Sequence, residues 1–410
     1  MKASFTEAMQ RSLLTRGLVF LMALTCGFTV ANVYINQTLL VSMAHTFRTT
    51  EVQIGLVATL VQIGYALGNL FLVPLGDRVE RRRLILALLG LVSLALALAA
   101  MAPSASWLIA AHLLIGATTV VPQIVFPWAA ELADVRQRGN VLGKVAIGLI
   151  CGIFGARLLS GIVDAQFGWR AMYWISLACM LLLIGWVRWK FPRSKPSAAL
   201  TYGALLRSLG PLFLKESVLR QACLSQGMVF GAFSVFWTTL AFLLKSPTYS
   251  LGSEFVGIVG LIGFGGVFAS PLVGRIIDRK GARFANLLCL LVVAASFLLL
   301  AISGNRLPVL LLGAFLLTVG TQANQVACQA RIFALSAEAR SRLNGLYMVS
   351  TFLGGAAGSY LGVLAWSHGQ WSMVCLTGAL MAAASFGGLA GRRRNQADGA
   401  RAAEEKSGTR

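Results

Sequence analysis

The stretch "PLGDRVERRRL", Pro74 to Leu84, crowds four arginines and two acids between two long apolar runs. A bilayer's hydrocarbon core about 30 Å thick takes about 20 apolar residues per helix. The runs on either side, near 53–75 and 84–102, have that length. Moved along the chain, the same ruler marks further segments near 17–41, 107–130, 141–164, 171–190, 219–244, 254–273, 282–303, 308–333, 343–366 and 371–390. Twelve helices leave no room for a soluble domain. The chain has 410 residues, 57% hydrophobic and 12% charged, with a mean hydropathy of +0.76. Soluble domains carry roughly 25% charged residues.

A net charge of +21 could mark a nucleic-acid binder, but its placement does not. With the amino terminus set in the cytoplasm, 30 of the 35 lysines and arginines fall in cytoplasmic loops, tails and helix ends. Arg48, Arg170, Lys245 and Arg306 lie on the other side, and Arg157 alone lies within the membrane. The positive-inside rule produces this asymmetry in a polytopic protein with both termini cytoplasmic, and the Arg392-Arg393-Arg394 run reads the same way. The expected location is a plasma membrane, the inner membrane of a bacterium. The first apolar segment is too long for a signal h-region and has no small-residue cleavage site behind it. The cysteines at 26, 151, 179, 223, 289, 328 and 375 show no metal-ligand spacing and read as packing residues.

The longest hydrophilic stretch between helices, from Pro192 to about Val218, divides the chain into six helices and six. Its "YGALLRSLGPLFLKESVLRQ" mixes leucine with arginine and lysine, as a helix on the membrane surface would. The expected units are a first bundle over 1–191, a linker over 192–218, a second bundle over 219–391 and a basic tail over 392–410. A shift of 202 residues aligns Arg138 with Arg340, Gly143 with Gly345, Gly152 with Gly354 and Trp169 with Trp371. Such a repeat marks a transporter whose two halves rock about a site between them.

The loop after the eighth segment reads "GRIIDRKGARF", Gly274 to Phe284. Together with the Pro74–Leu84 loop it resembles the paired GxxxDRxGRR signature of the major facilitator superfamily. The second copy keeps Gly274, Asp278, Arg279, Gly281 and Arg283; the first keeps Asp77, Arg78, Arg81 and Arg82 but has Val73 and Glu80 at the glycine positions. The long central loop and "FGWR", Phe167 to Arg170, fit as well. The resemblance covers the whole chain and is strongest to the bacterial drug and sugar efflux branch. It implies an all-α membrane protein, twelve transmembrane helices in two six-helix bundles related by pseudo-twofold symmetry.

The resemblance also implies gating roles for the loop residues. A carboxylate is favoured at a helix N-terminus by about 0.3–1 kcal/mol. Asp77 is expected near the start of the eleventh helix at Leu343 to Gly345, and Asp278 near the start of the fifth at Gly139, contacts that favour an outward-open state. Glu131 is expected to receive Arg78 or Arg82 in the family's charge relay, with Arg279 and Arg283 as the second copy's counterparts.

Polar groups in a membrane are costly and turn inward. The first helix carries Thr25, Thr29, Asn32 and Asn36 on one face, and a shift of 201 places Gln226, Phe230, Phe233 and Trp237 at the same positions of the seventh. The fourth carries His112, Gly116, Thr119 and Gln123; the tenth carries Thr318, Thr321, Gln325 and Gln329, with Gln322 beside them. In transporters of this resemblance these four helices line the cavity. Amides on one side and aromatic surface on the other suit an amphipathic organic solute. Interhelical packing is the plainer reading of each residue taken singly.

All 14 acids lie in loops, tails or helix ends, where proton-coupled export normally uses an embedded carboxylate. His112, with Asp164, is therefore the candidate for proton coupling. Gly148, Gly152 and Gly155 form a small-residue stripe expected to pack against the eighth helix. Arg157 lies nearly opposite that stripe, roughly 24 Å from the cytoplasmic end at 1.5 Å per residue. Side chains on a helix lean toward its N-terminus, so Asp164 is a poor direct partner. Arg157 is expected either to snorkel to the outer surface or to form a buried layer with Asn32, Asn36 and His112.

The leading expectation is a secondary transporter that exports a small amphipathic compound by alternating access, proton-coupled, acting as a monomer in the lipid bilayer. Its substrate site would draw on Thr29, Asn32, Asn36, His112, Gln123, Arg157, Gln226, Phe230, Trp237, Gln322 and Gln325. The alternatives are an exchanger or uniporter of an organic anion that uses Arg157, and a non-transporting membrane sensor or assembly protein. No nucleophile, metal cluster or cofactor motif points to an enzyme; "GNVLGK", ending at Lys144, lacks the Ser or Thr and preceding strand of a phosphate loop. No cofactor and no nucleic-acid partner are expected.

Overall fold

The computed structural model describes residues 15–134, 137–194, 201–304, 306–336 and 339–390. The Arg392-Arg393-Arg394 run and the tail over 392–410 lie outside the described residues. The membrane-crossing helices are α1 (Arg16–Phe47), α2 (Glu51–Asp77), α3 (Arg81–Ala100), α4 (Ala105–Leu132), α5 (Arg138–Phe167), α6 (Trp169–Lys190) and α7 (Ser217–Lys245). In α8 two α-helical pieces, Ser253–Ile262 and Ala269–Lys280, flank a 3-10 stretch, Gly263–Phe268. α9 (Ala282–Ile302) and α10 (Leu307–Phe333) follow. α11 and α12 share Arg340–Ser385 and part at Gly369 and Gln370, whose backbone is not helical. Twelve spans are therefore present among the described residues, in the order the hydropathy reading expects.

Caps fix where several helices begin. The hydroxyls of Thr15, Thr50 and Ser104 accept from the backbone N–H groups of Leu18, Gln53 and Trp107 at 3.2, 3.2 and 3.3 Å. α1 runs on past the expected end at Val41 because a polar ladder holds it to its neighbours. Thr38 bonds Ser160 at 2.5 Å, Ser42 donates to Asp164 at 2.6 Å, and the Trp169 indole donates to Thr46 at 3.0 Å. Gly281, at φ +83°, makes the turn into α9 that a side chain would strain. The matching Glu80 has φ −58°, since there the chain turns through the 3-10 segment Val73–Asp77 instead.

Backbone proximity organises each half. A Cβ at Gly152 would strike the Gly27 carbonyl, and one at Gly148 would strike that of Ala23, so α5 lies directly on α1. In the second half Gly354 and Gly358 of α11 meet Gly227 and Gly231 of α7 in the same way. This corrects the expected seam: Gly148 and Gly152 face α1 rather than α8, and a Cβ at Gly155 would meet nothing within 4 Å among the described residues. α8 approaches the other side of α5 with glycines of its own. Gly257 lies against Arg157 and Leu158, Gly260 against the Arg157 side chain, and Gly263 against Phe154.

The halves meet along α2–α11 and α5–α8, on the side away from the basic loops. Gly55 lies under Val363, Gln62 donates to Ser359 at 2.7 Å, and the Tyr65 and Phe352 rings stand 4.1 Å apart. Across α5–α8, Ser253 reaches the Gly161 carbonyl at 3.4 Å and Phe154 meets Phe264 at 5.6 Å. At the basic end, by contrast, Cβ positions on Gly139, Gly143, Gly274 and Gly345 meet nothing within 4 Å. Among the described residues, then, the halves are closed on one side and parted on the side of the basic loops. Between the halves a helix, Tyr202–Lys215, touches both: Tyr202 donates to the Phe71 carbonyl at 2.7 Å, and Arg342 of α11 donates to Ser208 at 3.2 Å.

Candidate transport pathway

Arg157 is fully buried where the two halves close, so it does not snorkel. Its Nε and Nη2 both donate to Oε1 of Gln37, at 3.0 and 2.8 Å, and Nη1 donates to the Ile153 carbonyl at 3.3 Å. Four rings surround the guanidinium: Trp237 at 4.2 Å, Tyr34 at 4.8 Å, Phe154 at 5.5 Å and Phe233 at 5.9 Å. Among the described residues no carboxylate pairs with it. Taking an ion out of water costs several kcal/mol. Aromatic faces return up to about 2 kcal/mol each when desolvated, and Gln37 gives a partial negative charge but no counter-ion.

From this cation an unbroken file of rings crosses the centre of the protein. Trp237 touches Phe233 at 5.8 Å, Phe233 stacks on Phe230 at 5.6 Å, Phe230 meets Phe352 at 5.2 Å, and Phe352 meets Tyr65. On the basic side of these rings, Gln123, Gln322 and Gln325 are half-buried. Gln123 donates to the Tyr65 hydroxyl at 3.4 Å. The parted end thus leads past amides to an aromatic wall with a guanidinium behind it.

The other expected pathway residues are distributed differently. Thr25 and Thr29 turn their hydroxyls onto the Leu21 and Thr25 carbonyls of their own helix, at 2.7 and 2.6 Å. Asn32 donates to the Phe28 carbonyl and to Met180 Sδ of α6, and Asn36 donates to the Val33 carbonyl. Both leave a buried Oδ1 without a protein partner. His112 is fully buried, Nδ1 against the Leu108 carbonyl and Nε2 against the Tyr173 hydroxyl, each at 2.8 Å. Its two ring nitrogens are thus occupied between α4 and α6, and the expected layer of Arg157 with Asn32, Asn36 and His112 does not form. The reason is rotation about α1: Gln37, one residue beyond Asn36, is the side chain turned to Arg157. Asp164 bonds Ser42 rather than Arg157, as the lean of helical side chains anticipates.

Two polar groups escaped the stripe reading because single residues on different helices build them. Gln62 of α2, Ser234 and Thr238 of α7 and Ser359 of α11 make an inter-bundle clasp: Ser234 donates to Gln62 Oε1 at 3.4 Å and Thr238 bonds Ser359 at 3.0 Å. In the second half Asn324 donates to Gln226 at 2.7 Å and is bonded by Asn286, while Arg331 donates to Asn286 and Gln221, each at 2.7 Å. Gln226 thus belongs to a network inside its own bundle.

At the loop signature, Arg81 and not Arg78 or Arg82 reaches Glu131, through both terminal guanidinium nitrogens, with Nη2 at 2.8 Å from Oε1. As the first residue of α3 it stands one turn from Asp77, 3.9 Å away, and faces the end of α4. Arg82, 100° further round the helix, donates to the Arg188 carbonyl of α6 instead. Arg78, Asp278 and Arg279 are exposed, and Arg283 donates to the Leu389 carbonyl at 2.7 Å. Among the described residues neither Asp77 nor Asp278 caps the opposite half, since the halves are parted at that end. Glu131→Ala is expected to destabilise the protein by about 1 kcal/mol, since among the described residues the buried guanidinium keeps only the Gly76 carbonyl and the more distant Asp77. In detergent thermal melts the double variant Glu131→Ala/Arg81→Met should recover part of that loss.

The family model "Major Facilitator Superfamily" matches residues 19–302 and, in a second match, 222–409. The chain belongs to the major facilitator superfamily. The Escherichia coli (strain K12) protein "Putative uncharacterized transporter YgaY" is 35% identical over 90% of this chain and 94% of its own length. "Probable transporter SCO4007" of Streptomyces coelicolor is 32% identical over 87% of this chain and 83% of its own. A more distant relative, a "Probable sugar efflux transporter" of Helicobacter pylori, is 25% identical over 84% of this chain and 87% of its own. Solved structures share the fold: the nucleoside transporter NupG (D323A mutant), with TM-score 0.73 and 14% identity, covers 91% of this chain and 99% of its own. The human organic anion transporter MFSD10, with TM-score 0.68 and 20% identity, covers 91% of this chain and 98% of its own. The protein is a multi-pass membrane transporter and not an enzyme.

Proposed function

We propose that this transporter exports an organic anion with an aromatic or apolar body, using Arg157 as the cation the anion meets when the closed side opens. The observation that carries the reading is the buried guanidinium at the end of the ring file, which pairs with no carboxylate among the described residues. With the basic loops in the cytoplasm, the parted end is the cytoplasmic one, and solute enters there past Gln123, Gln322 and Gln325. The rings give apolar contact, and separation of α7 from α1 and α5 uncovers Arg157 toward the outside. The relative named as a probable sugar efflux transporter supports the direction.

Export of an anion needs no proton. A membrane potential, negative inside, drives one negative charge outward with about 2.3 kcal/mol per 100 mV. That agrees with the acids lying in loops, tails or helix ends and with His112 being held inside its own bundle. A neutral polyhydroxy solute is the second reading, favoured by the amides at the mouth and by the same relative's name.

Proteoliposomes loaded with an aromatic carboxylate or its neutral amide separate the readings. The carboxylate should leave faster under an imposed potential, carry current and ignore collapse of a pH gradient. Equal flux of the amide with no current would favour the neutral solute. Flux that stops with the pH gradient would restore proton coupling, and absence of flux from any solute panel would favour a sensor or assembly role.

A further inference from the structure

Along the outer faces of α1 and α5, at the end bearing the basic loops, runs a groove of 690 Å³ that the pathway does not use. Its polar side chains stand at one end: Arg16 opens α1, and Asn140 and Lys144 lie in the first turns of α5. Its body is apolar, with Phe20 and Ile147 64% and 55% exposed and Cys151 exposed beyond them. Asn140, Lys144, Ile147 and Cys151 follow the spacing of one helical face. Cys151 lies about 120° around α5 from the pathway-facing Arg157 at 100° per residue. From the start of α5 to Cys151 the helix rises about 20 Å. One leaflet of a hydrocarbon core about 30 Å thick, plus the interface above it, has a similar depth.

We propose that this groove binds one anionic phospholipid of the leaflet on the basic side, its headgroup against Arg16 and Lys144 and an acyl chain along Phe20, Ile147 and Cys151. Charge complementarity selects the occupant. Among the described residues neither Arg16 nor Lys144 pairs with an acid. A basic side chain near an anionic membrane surface contributes about 1 kcal/mol, and the volume lies within the range of small-molecule sites, about 300–1,000 Å³. A zwitterionic lipid fits the apolar part equally but leaves the basic end unmatched.

The test compares phosphatidylglycerol with phosphatidylcholine of the same chains on the purified full chain. Retained lipid is read by native mass spectrometry, and maleimide labelling of Cys151 by peptide mapping. Wild type should retain phosphatidylglycerol about tenfold better, and that lipid should slow labelling of Cys151. Arg16→Gln/Lys144→Gln should remove both effects, whereas Ile147→Trp, which fills the groove, should exclude either lipid. Equal retention of the two lipids would overturn the proposal. So would unchanged behaviour of the double variant, or protection of Cys151 by an aromatic carboxylate and not by lipid.

Discussion

Arg157→Lys is expected to lower transport of an organic anion about a hundredfold while leaving a folded, membrane-inserted protein. Lysine keeps a positive charge but loses the planar fork that bonds Gln37 twice and stacks beside Trp237 and Tyr34. A buried lysine can also shed its proton, so the fold survives where the charge does not. The sharper companion is Gln37→Glu, which changes no volume and places a carboxylate where Oε1 now accepts two bonds from Arg157. Two unit charges about 4 Å apart interact by about 4 kcal/mol at an effective dielectric near 20. Desolvation takes back part of this, and the remainder corresponds to about a hundredfold weaker capture of a solute anion at 1.4 kcal/mol per tenfold. Gln37→Glu should therefore melt at least as high as wild type and yet fail in anion efflux from proteoliposomes. Wild-type anion flux in Gln37→Glu would rule out Arg157 as the anion's partner and leave it a latch of the closed side.

What the sequence disclosed and what it concealed follow from the kind of physics involved. Span positions depend on hydrocarbon thickness, a one-dimensional property, and so "PLGDRVERRRL" and the runs beside it could be read directly. The burial of Arg157 was one of two open outcomes, since a helix of known length says how deep a residue lies but not whether a neighbour covers it. Its partner was missed for a related reason. α1 runs on through Ile35 with helical backbone angles, and Gln37 lies 100° round it from Asn36, so the stripe through Asn32 and Asn36 marks a neighbouring face and not the one turned to Arg157. The same limit applies to Gln226, which points into its own bundle to meet Asn324, a residue outside any stripe. Polar periodicity finds the buried face of a helix but does not tell a pathway from a packing contact. The glycine stripe on α5 shows this too: its spacing marks a close-packing surface but does not tell α1, which it meets, from α8.

Gly152→Leu, and its repeat-related counterpart Gly354→Leu, are expected to abolish folded protein, whereas Gly155→Ala should be tolerated. At Gly152 the atom in the way is the Gly27 carbonyl oxygen, and at Gly354 it is that of Gly227. A side chain can swing aside, but a helical carbonyl moves only with its helix. Overpacking in a well-packed interior costs about 1–3 kcal/mol even where side chains can adjust. Here the whole of α1 or α7 must retreat, and α7 is buried along almost its entire length. In a membrane, moreover, association of these helices rests on van der Waals contact rather than on a hydrophobic driving force, so lost proximity is not recovered elsewhere. A Cβ at Gly155, three residues on, meets nothing within 4 Å among the described residues, and alanine there should gain helix propensity of up to about 1 kcal/mol. Size-exclusion profiles of detergent extracts would decide the matter. A monodisperse Gly152→Leu protein with wild-type thermal stability would mean that α1 and α5 do not pack through this seam, and that the small residues serve the approach of α8 after all.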